Sequence, residues 1–370
     1  MLQVLADFGE IDLLGRTLHL RIYGYGLMMV LGFLCGIYLA RWRARRFGEN
    51  PDRIFTLGLL ALVGGVVGAR LAYVIEKWDA EFAQAGDPLV AMLDITSGGL
   101  IYYGGVALAL ALVAGYLAVK RLPVRRFLDI LAPSLMIGLA FGRAGCLMNG
   151  CCYGGLCHAD YPLAMRFPYA SRPLLDFSDG NVFGSSSVSP PFAHQMSLPP
   201  EEGGLDADDL PPWLLRRTQR GTLILNGRGR PLPVPPSELT AEHARQAVHI
   251  HSRPLQPAQV FGIINALLIA AVLLVFSRLR RREGQVFLLM LVLYPITRFI
   301  LESIRGDNPH GLLRLQLTHN QWISVGTVIA ALILWRLLRL WPAAARSPRL
   351  TQDASPQALA SNPQAKKGRS

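Results

Sequence analysis

Seven apolar runs, each long enough to cross a hydrocarbon layer of about 30 Å, leave this chain few ways to fold. They lie near residues 22–41, 55–76, 101–119, 127–144, 259–277, 286–304 and 321–340. Basic residues fill every second loop between them. Arg41, Arg43, Arg45, Arg46 and Arg53 follow the first run, and Lys120, Arg121, Arg125 and Arg126 the third. Arg278, Arg280, Arg281 and Arg282 follow the fifth, and Arg336, Arg339, Arg346 and Arg349 the seventh. Cations concentrate on the cytoplasmic side of a bilayer, so the alternation predicts an outside N-terminus and a cytoplasmic C-terminus. The expected fold class is an all-α integral membrane protein of about seven transmembrane helices with a small extracytoplasmic insert. The composition, 51% hydrophobic and 17% charged, favours this over two soluble domains. A formal charge of +12 would also suit a nucleic-acid partner. The cations, however, sit beside apolar runs and no nucleic-acid module is recognisable, so no nucleic acid is expected. The start of the chain lacks the basic n-region of a cleavable leader, so the first run is expected to remain as a span.

The runs divide the chain into 1–157 (four spans and a glycine-rich loop), 158–256 (the insert), 257–341 (three spans) and 342–370 (a tail expected to be disordered). The insert is rich in Pro, Ser and Gly. Within it Thr222–Leu225, followed by Asn226-Gly227, predicts a strand entering a tight turn, and Thr240–Val248 a short helix.

Charge within the spans carries the functional signal. A central intramembrane charge costs roughly 2.5–3.5 kcal/mol, yet Arg70, Arg143, Arg298 and Glu302 fall inside or at the ends of the runs. Under the predicted orientation Arg70 lies about 22 Å and Arg298 about 18 Å up from the cytoplasmic side, at 1.5 Å per residue. Arg143 lies near the outer end of its span. A channel or transporter needs polar groups through the inner half as well, and few are present. The pattern points to a site facing the outer leaflet. Tyr294, Arg298, Glu302 and Arg305 recur at helical spacing and share one face. Arg298 and Glu302 either neutralise each other for structural reasons, or Glu302 positions a guanidinium that faces a lipid phosphate. Arg143, in Gly138–Gly155, stands where the helix is expected to break into a loop at Gly142. It either snorkels or holds an anion while glycine backbone approaches it.

The stretch Gly142-Arg143-Ala144-Gly145-Cys146-Leu147-Met148-Asn149-Gly150, with Tyr153-Gly154, resembles the signature of the bacterial prolipoprotein diacylglyceryl transferases, roughly G-R-x-x-N-F-x-N-G-E-x-[WY]-G. Five further motifs follow in order. Tyr25-Gly-Leu-Met resembles the family's Y-G-L-M, Gly68-x-Arg70-x-x-Tyr73 its G-x-R-x-x-Y, and Pro257-Ala-Gln259 its P-[ST]-Q. Tyr294-Pro-x-x-Arg298-Phe-x-x-Glu302-x-x-Arg305 resembles its Y-G-x-x-R-F-x-x-E-x-x-R, and Gln321-x-x-Ser324 its Q-x-x-S. The resemblance covers roughly residues 20–168 and 256–340.

It implies a multi-pass enzyme of the bacterial inner membrane. Such an enzyme moves the diacylglyceryl group of phosphatidylglycerol to the lipobox cysteine of prolipoprotein signal peptides, with membrane lipids as surroundings and no cofactor or metal. It further implies Arg143, Arg298, Tyr103 and Glu302 as catalytic. Tyr25, Arg70, Asn149, Gly154, Tyr294, Arg305 and Gln259 become the substrate-binding residues. A non-catalytic lipid-binding relative is the alternative.

Three departures stand out. Tyr103 occupies the place where well-known members carry His, which leaves Glu302, His310 or His319 as other bases. The long insert is the second. The third is a run of four cysteines, Cys146, Cys151, Cys152 and Cys157, with Cys146 and Cys151 replacing the family's Asn and Glu. In an oxidising compartment disulfides are the expected state, with free thiols or a bound metal as alternatives. The pair of histidines at His249-x-His251 lacks further ligands at fitting spacing.

Overall fold

The computed structural model describes residues 4–13, 16–83, 87–93, 99, 101–169, 188–247, 249–305 and 317–338. The expected tail and His310 lie outside them, as does the side chain of His319.

An antiparallel hairpin, β1 (Val4–Leu13) and β2 (Arg16–Tyr23), leads directly into the first span, an addition to the all-helical expectation. Then follow α1 (Gly24–Arg46), α2 (Pro51–Lys77), a short α3 (Pro88–Leu93), α4 (Tyr102–Val119) and α5 (Val124–Asn149). The insert contributes α6 (Pro190–Ser197) and α7 (Ala241–Ala247). The chain returns through α8 (Ala258–Leu279), α9 (Gln285–Ile304) and α10 (His319–Leu338). Among the described residues six helices are long and apolar enough to cross a membrane, and α4 is a shorter apolar one. The expected spans are all present in a multi-pass, mostly helical membrane protein. Large apolar side chains such as Leu34, Ile75, Leu268 and Ile329 are exposed on its outside, as lipid contact requires.

Neighbouring helices pack in the order α4, α2, α1, α5, with α8 and α9 against α5 and α10 against α9. The α2–α4 contact is built on glycine: a Cβ at Gly68 would strike the Gly104 carbonyl and Leu108, and one at Gly105 the Gly65 carbonyl. Small residues let the two backbones meet, and dispersion then holds apolar helices that lipid would solvate equally well. Asn50 caps α2 by accepting from the Asp52 N–H at 2.8 Å, with Pro51 at the first helical position.

The cations of the basic loops also bond within the protein. Buried Asp129 on α5 receives Arg280 together with the N–H groups of Gly284 (2.8 Å) and Phe287 (3.0 Å). Arg43 of α1 donates to the carbonyls of Ile130 (3.1 Å) and Asp129 (2.9 Å). Arg126 joins Glu49 (2.9 Å) to Glu283 (2.6 Å). Several of the cations that sequence reads as membrane-orienting signals thus fasten helix ends together.

In the insert, Tyr169, Phe192, Met196, Leu210, Leu214, Leu215 and Ala247 form a separate apolar cluster. The expected turn after Leu225 is present but longer: Asn226 Oδ1 accepts from the N–H groups of Arg228 and Arg230. The left-handed residue there is Gly229, not Gly227, because the asparagine side chain caps the loop two residues on.

Candidate active site

The end of the bundle opposite the Asp129 network is where α5 and α9 finish and α8 and α10 begin. Helix α5 does not break at Gly142, as expected from its glycines, but continues to Asn149 and ends at Gly150 in the left-handed conformation (φ 72°). Gly145 is small for packing, since a Cβ there would meet Tyr25 Cδ2 at 2.9 Å, whereas one at Gly142 would meet nothing within 4 Å. Arg143 therefore sits within the helix, pressed against α8. A Cβ added at Gly262 would meet its Cδ at 3.1 Å, so any larger residue there would press the arginine side chain aside.

On α9, Arg298 and Glu302 are one turn apart and paired at 2.7 Å, with the carboxylate buried. Glu302 also accepts from Asn320 Nδ2 (2.8 Å) and Thr318 Oγ1 (3.4 Å). Arg143, Arg305 and Tyr294 all lie within electrostatic reach of Arg298. Arg143 and Arg305 thus gather beside the Arg298–Glu302 pair. Arg305, at the C-cap of α9, is favourably placed there, because helix C-termini carry partial negative charge.

The signature loop is stitched over this group. Gly154 pairs with Arg305, and its N–H bonds the Gln256 carbonyl at 3.1 Å. The Gly155 N–H reaches the Ile304 carbonyl at 2.8 Å. A Cβ at Gly154 would collide with Gln256. Fully buried Gln259 donates to the Cys151 carbonyl at 3.0 Å, and its Oε1 has no hydrogen-bond partner among the described residues. Asn149 hydrogen-bonds Cys151 through its side chain, and Tyr25 lies within electrostatic reach of Arg143 and the loop sulfurs.

The structure therefore gathers Arg143, Arg298, Glu302, Arg305, Tyr294, Tyr25, Asn149, Gly154 and Gln259 at one end. Arg70 and Tyr103 belong to the α2–α4 pair instead. Arg70 is buried, donating to the carbonyls of Ala91 (2.8 Å), Met92 (3.0 Å) and Gly99 (3.0 Å). That bonding ties down the segment after α2. Tyr103 is 71% exposed at the start of α4.

The expected disulfides are not formed, and all five cysteines are free. The sulfurs of Cys146, Cys151 and Cys152 converge within 4.8 Å of one another, and Cys152 is itself left-handed (φ 61°), which turns its thiol toward the other two. The S–H groups of Cys146 and Cys151 bonding to its sulfur hold the Cys152 thiol well below the ordinary range, helped by Arg305 and Arg143. Sequence reading also missed Asn320 and Thr318. Thr318 forms a capping box with Gln321: the Thr318 N–H donates to Gln321 Oε1 at 2.9 Å, and the Gln321 N–H to Thr318 Oγ1 at 3.3 Å. The T-x-x-Q spacing was the available signal.

Comparison with known proteins agrees with this arrangement. The family described as prolipoprotein diacylglyceryl transferase matches residues 14–337. The phosphatidylglycerol–prolipoprotein diacylglyceryl transferase of Rhodopirellula baltica is 29% identical, over 87% of this chain and 73% of its own length. The Clostridium tetani protein of the same name is 26% identical, over 86% of this chain and 94% of its own. That of Bdellovibrio bacteriovorus is 27% identical, over 84% and 87%. With most of its length and its whole arginine site inside the match, the chain belongs to the prolipoprotein diacylglyceryl transferase family.

Proposed function

We propose that this protein transfers the sn-1,2-diacylglyceryl group of phosphatidylglycerol to the lipobox cysteine of prolipoproteins, forming a thioether and releasing glycerol 1-phosphate. The reaction takes place at the outer leaflet of the bacterial inner membrane, with the N-terminus outside and the C-terminus in the cytoplasm. The observation that supports this reading is the gathering of Arg143 and Arg305 beside Arg298, which is itself paired with Glu302.

Sulfur attack on a glycerol carbon requires the departing phosphate's charge to be stabilised. Guanidinium groups in a water-poor site do this without reorganising. Arg143 and Arg298 hold the phosphate oxygens. Glu302, itself fixed by Asn320 and Thr318, aims Arg298. Tyr25, Asn149, Tyr294 and Tyr103 orient the headgroup. Arg305, Gly154 and Gln259 keep the signature loop in place over it, and Arg70 holds the wall formed by α2 and α4.

Rescue of a transferase-depleted bacterium by this chain tests the reading. Growth with normally lipidated lipoproteins is the expected result. Stable insertion without rescue, while phosphatidylglycerol still binds, would mark a non-catalytic lipid-binding relative.

A further inference from the structure

Three thiols meet beside two arginines at the mouth of the site, and the transfer reading gives them no task. Cys146 lies in the last turn of α5, and Cys151 and Cys152 in the loop that follows. All three are partly buried, with their sulfurs within 4.8 Å of one another. The backbone is arranged to bring them together. The Cys151 N–H bonds the Cys146 carbonyl at 3.1 Å, Gln259 grips the Cys151 carbonyl at 3.0 Å, and Cys152 takes a positive φ of 61°. Residues other than glycine rarely take that conformation, and here it turns a third sulfur toward the other two.

We propose that Cys146, Cys151 and Cys152 form a three-thiolate zinc(II) site whose fourth position takes the acceptor cysteine of the protein substrate. The inference rests on the transfer reading above and adds to it the means of activating the thiol. Tetrahedral zinc with Zn–S bonds of about 2.3 Å separates its sulfurs by roughly 3.8 Å, so the three need draw in by only about 1 Å. Sulfur donors select soft or borderline metals, and among these zinc is redox-inert, so it would not oxidise the thiolates it holds. Charge also fits. Three thiolates on Zn²⁺ carry one net negative charge, rising to two when a fourth thiolate binds, next to Arg143 and Arg305.

Three protein ligands with one position left for substrate is the pattern of catalytic zinc rather than structural zinc. A thiol that binds zinc gives up its proton. Its sulfur lone pair then forms the S–C bond to the glycerol carbon. The C–O bond to phosphate breaks with its electron pair on oxygen, and glycerol 1-phosphate takes up the one proton released. No oxidant or reductant is needed.

The test uses the full chain purified in lipid nanodiscs. Elemental analysis should give one zinc per chain, lost in Cys146→Ser, Cys151→Ser and Cys152→Ser but kept in Cys35→Ser and Cys157→Ser. The cobalt(II) form should show visible bands of a tetrahedral thiolate site, and these should shift on adding a lipobox peptide but not its Cys→Ser counterpart. Chelation should slow transfer on the order of 100-fold or more, with recovery on zinc addition. Metal-free protein after zinc-replete purification, a disulfide among the three cysteines in the intact mass, or a cobalt spectrum indifferent to the cysteine peptide would each overturn the proposal. Full-rate transfer by zinc-free protein would overturn it too, while leaving the transferase reading standing. Zinc and peptide response without any transfer would support the site and count against that reading.

Discussion

Arg298 and Glu302, one turn apart on α9, form a 2.7 Å ion pair whose carboxylate is closed off from the surroundings. Their charges alone would cancel. Asn320 and Thr318 from the start of α10 also bond the carboxylate, so Glu302 is held by two helices and in turn fixes the direction of the guanidinium. The pair joins α9 to α10 and points one of three gathered arginines at the same place.

Arg143→Ala and Arg298→Ala should each lower transfer on the order of 100- to 1,000-fold while the protein still inserts. Arg→Lys should recover little, because a point charge lacks the planar two-pronged donor set. Initial rates with labelled phosphatidylglycerol and a lipobox peptide check this. Wild-type rates in both alanine variants would leave the arginines as interface anchors.

Glu302→Ala should be costly in two ways. Leaving Arg298 without its buried partner destabilises by about 3–5 kcal/mol, read as a lowered Tm in detergent. Misaiming the guanidinium should lower kcat on the order of 100-fold. Asn320→Ala removes one bond to the carboxylate and should cost about 1–3 kcal/mol. An Asn320→Ala protein with unchanged Tm would contradict the two-helix clamp.

Tyr103→Phe removes one hydroxyl from a residue that is 71% exposed on the α2–α4 pair. If it orients the headgroup, the change should raise KM for phosphatidylglycerol about fivefold, the worth of a single hydrogen bond near 1 kcal/mol, with kcat almost unchanged. A kcat loss beyond about 100-fold would instead assign the hydroxyl to proton transfer.

Gly68→Leu should separate α2 from α4, since any side chain there meets the Gly104 carbonyl and Leu108. The expected result is loss of folded protein on size exclusion, while Gly26→Ala, which meets nothing within 4 Å, should be tolerated. Equal yields of the two variants would contradict the glycine-built contact.

The spans were legible because length and apolarity are local properties, written in the order of residues. The arginines and Glu302 were legible because charge inside an apolar run is costly and helical spacing places it on one face. What escaped depends on partners distant in sequence. Gly142 and Gly145 look like helix breakers, yet α5 runs through them because Gly145 receives the ring of Tyr25. Arg70 looks like a ligand-binding cation, and its bonds to three carbonyls after α2 could not be read from the sequence. Nothing in the cysteine spacing announces that Cys152 will turn left-handed and bring three sulfurs together. The β1–β2 hairpin escaped because its pairing is irregular, with register shifts between Val4 and Ala6 and between Asp7 and Glu10.

Orientation is checked by reporter fusions. Those after Arg46 and Arg282 should report the cytoplasm, and one at Gly221 in the insert the outside. An outside signal at Arg282 would move the arginine site to the inner leaflet and overturn its proposed access to exported substrates.

The most direct measurement is the mass of a lipobox peptide after incubation with the purified protein and phosphatidylglycerol labelled in its diacylated glycerol. The account predicts addition of one intact diacylglyceryl group to the cysteine sulfur, release of one glycerol 1-phosphate per peptide, and no product from the Cys→Ser peptide. Folded protein that binds phosphatidylglycerol yet leaves the cysteine peptide unmodified would contradict it.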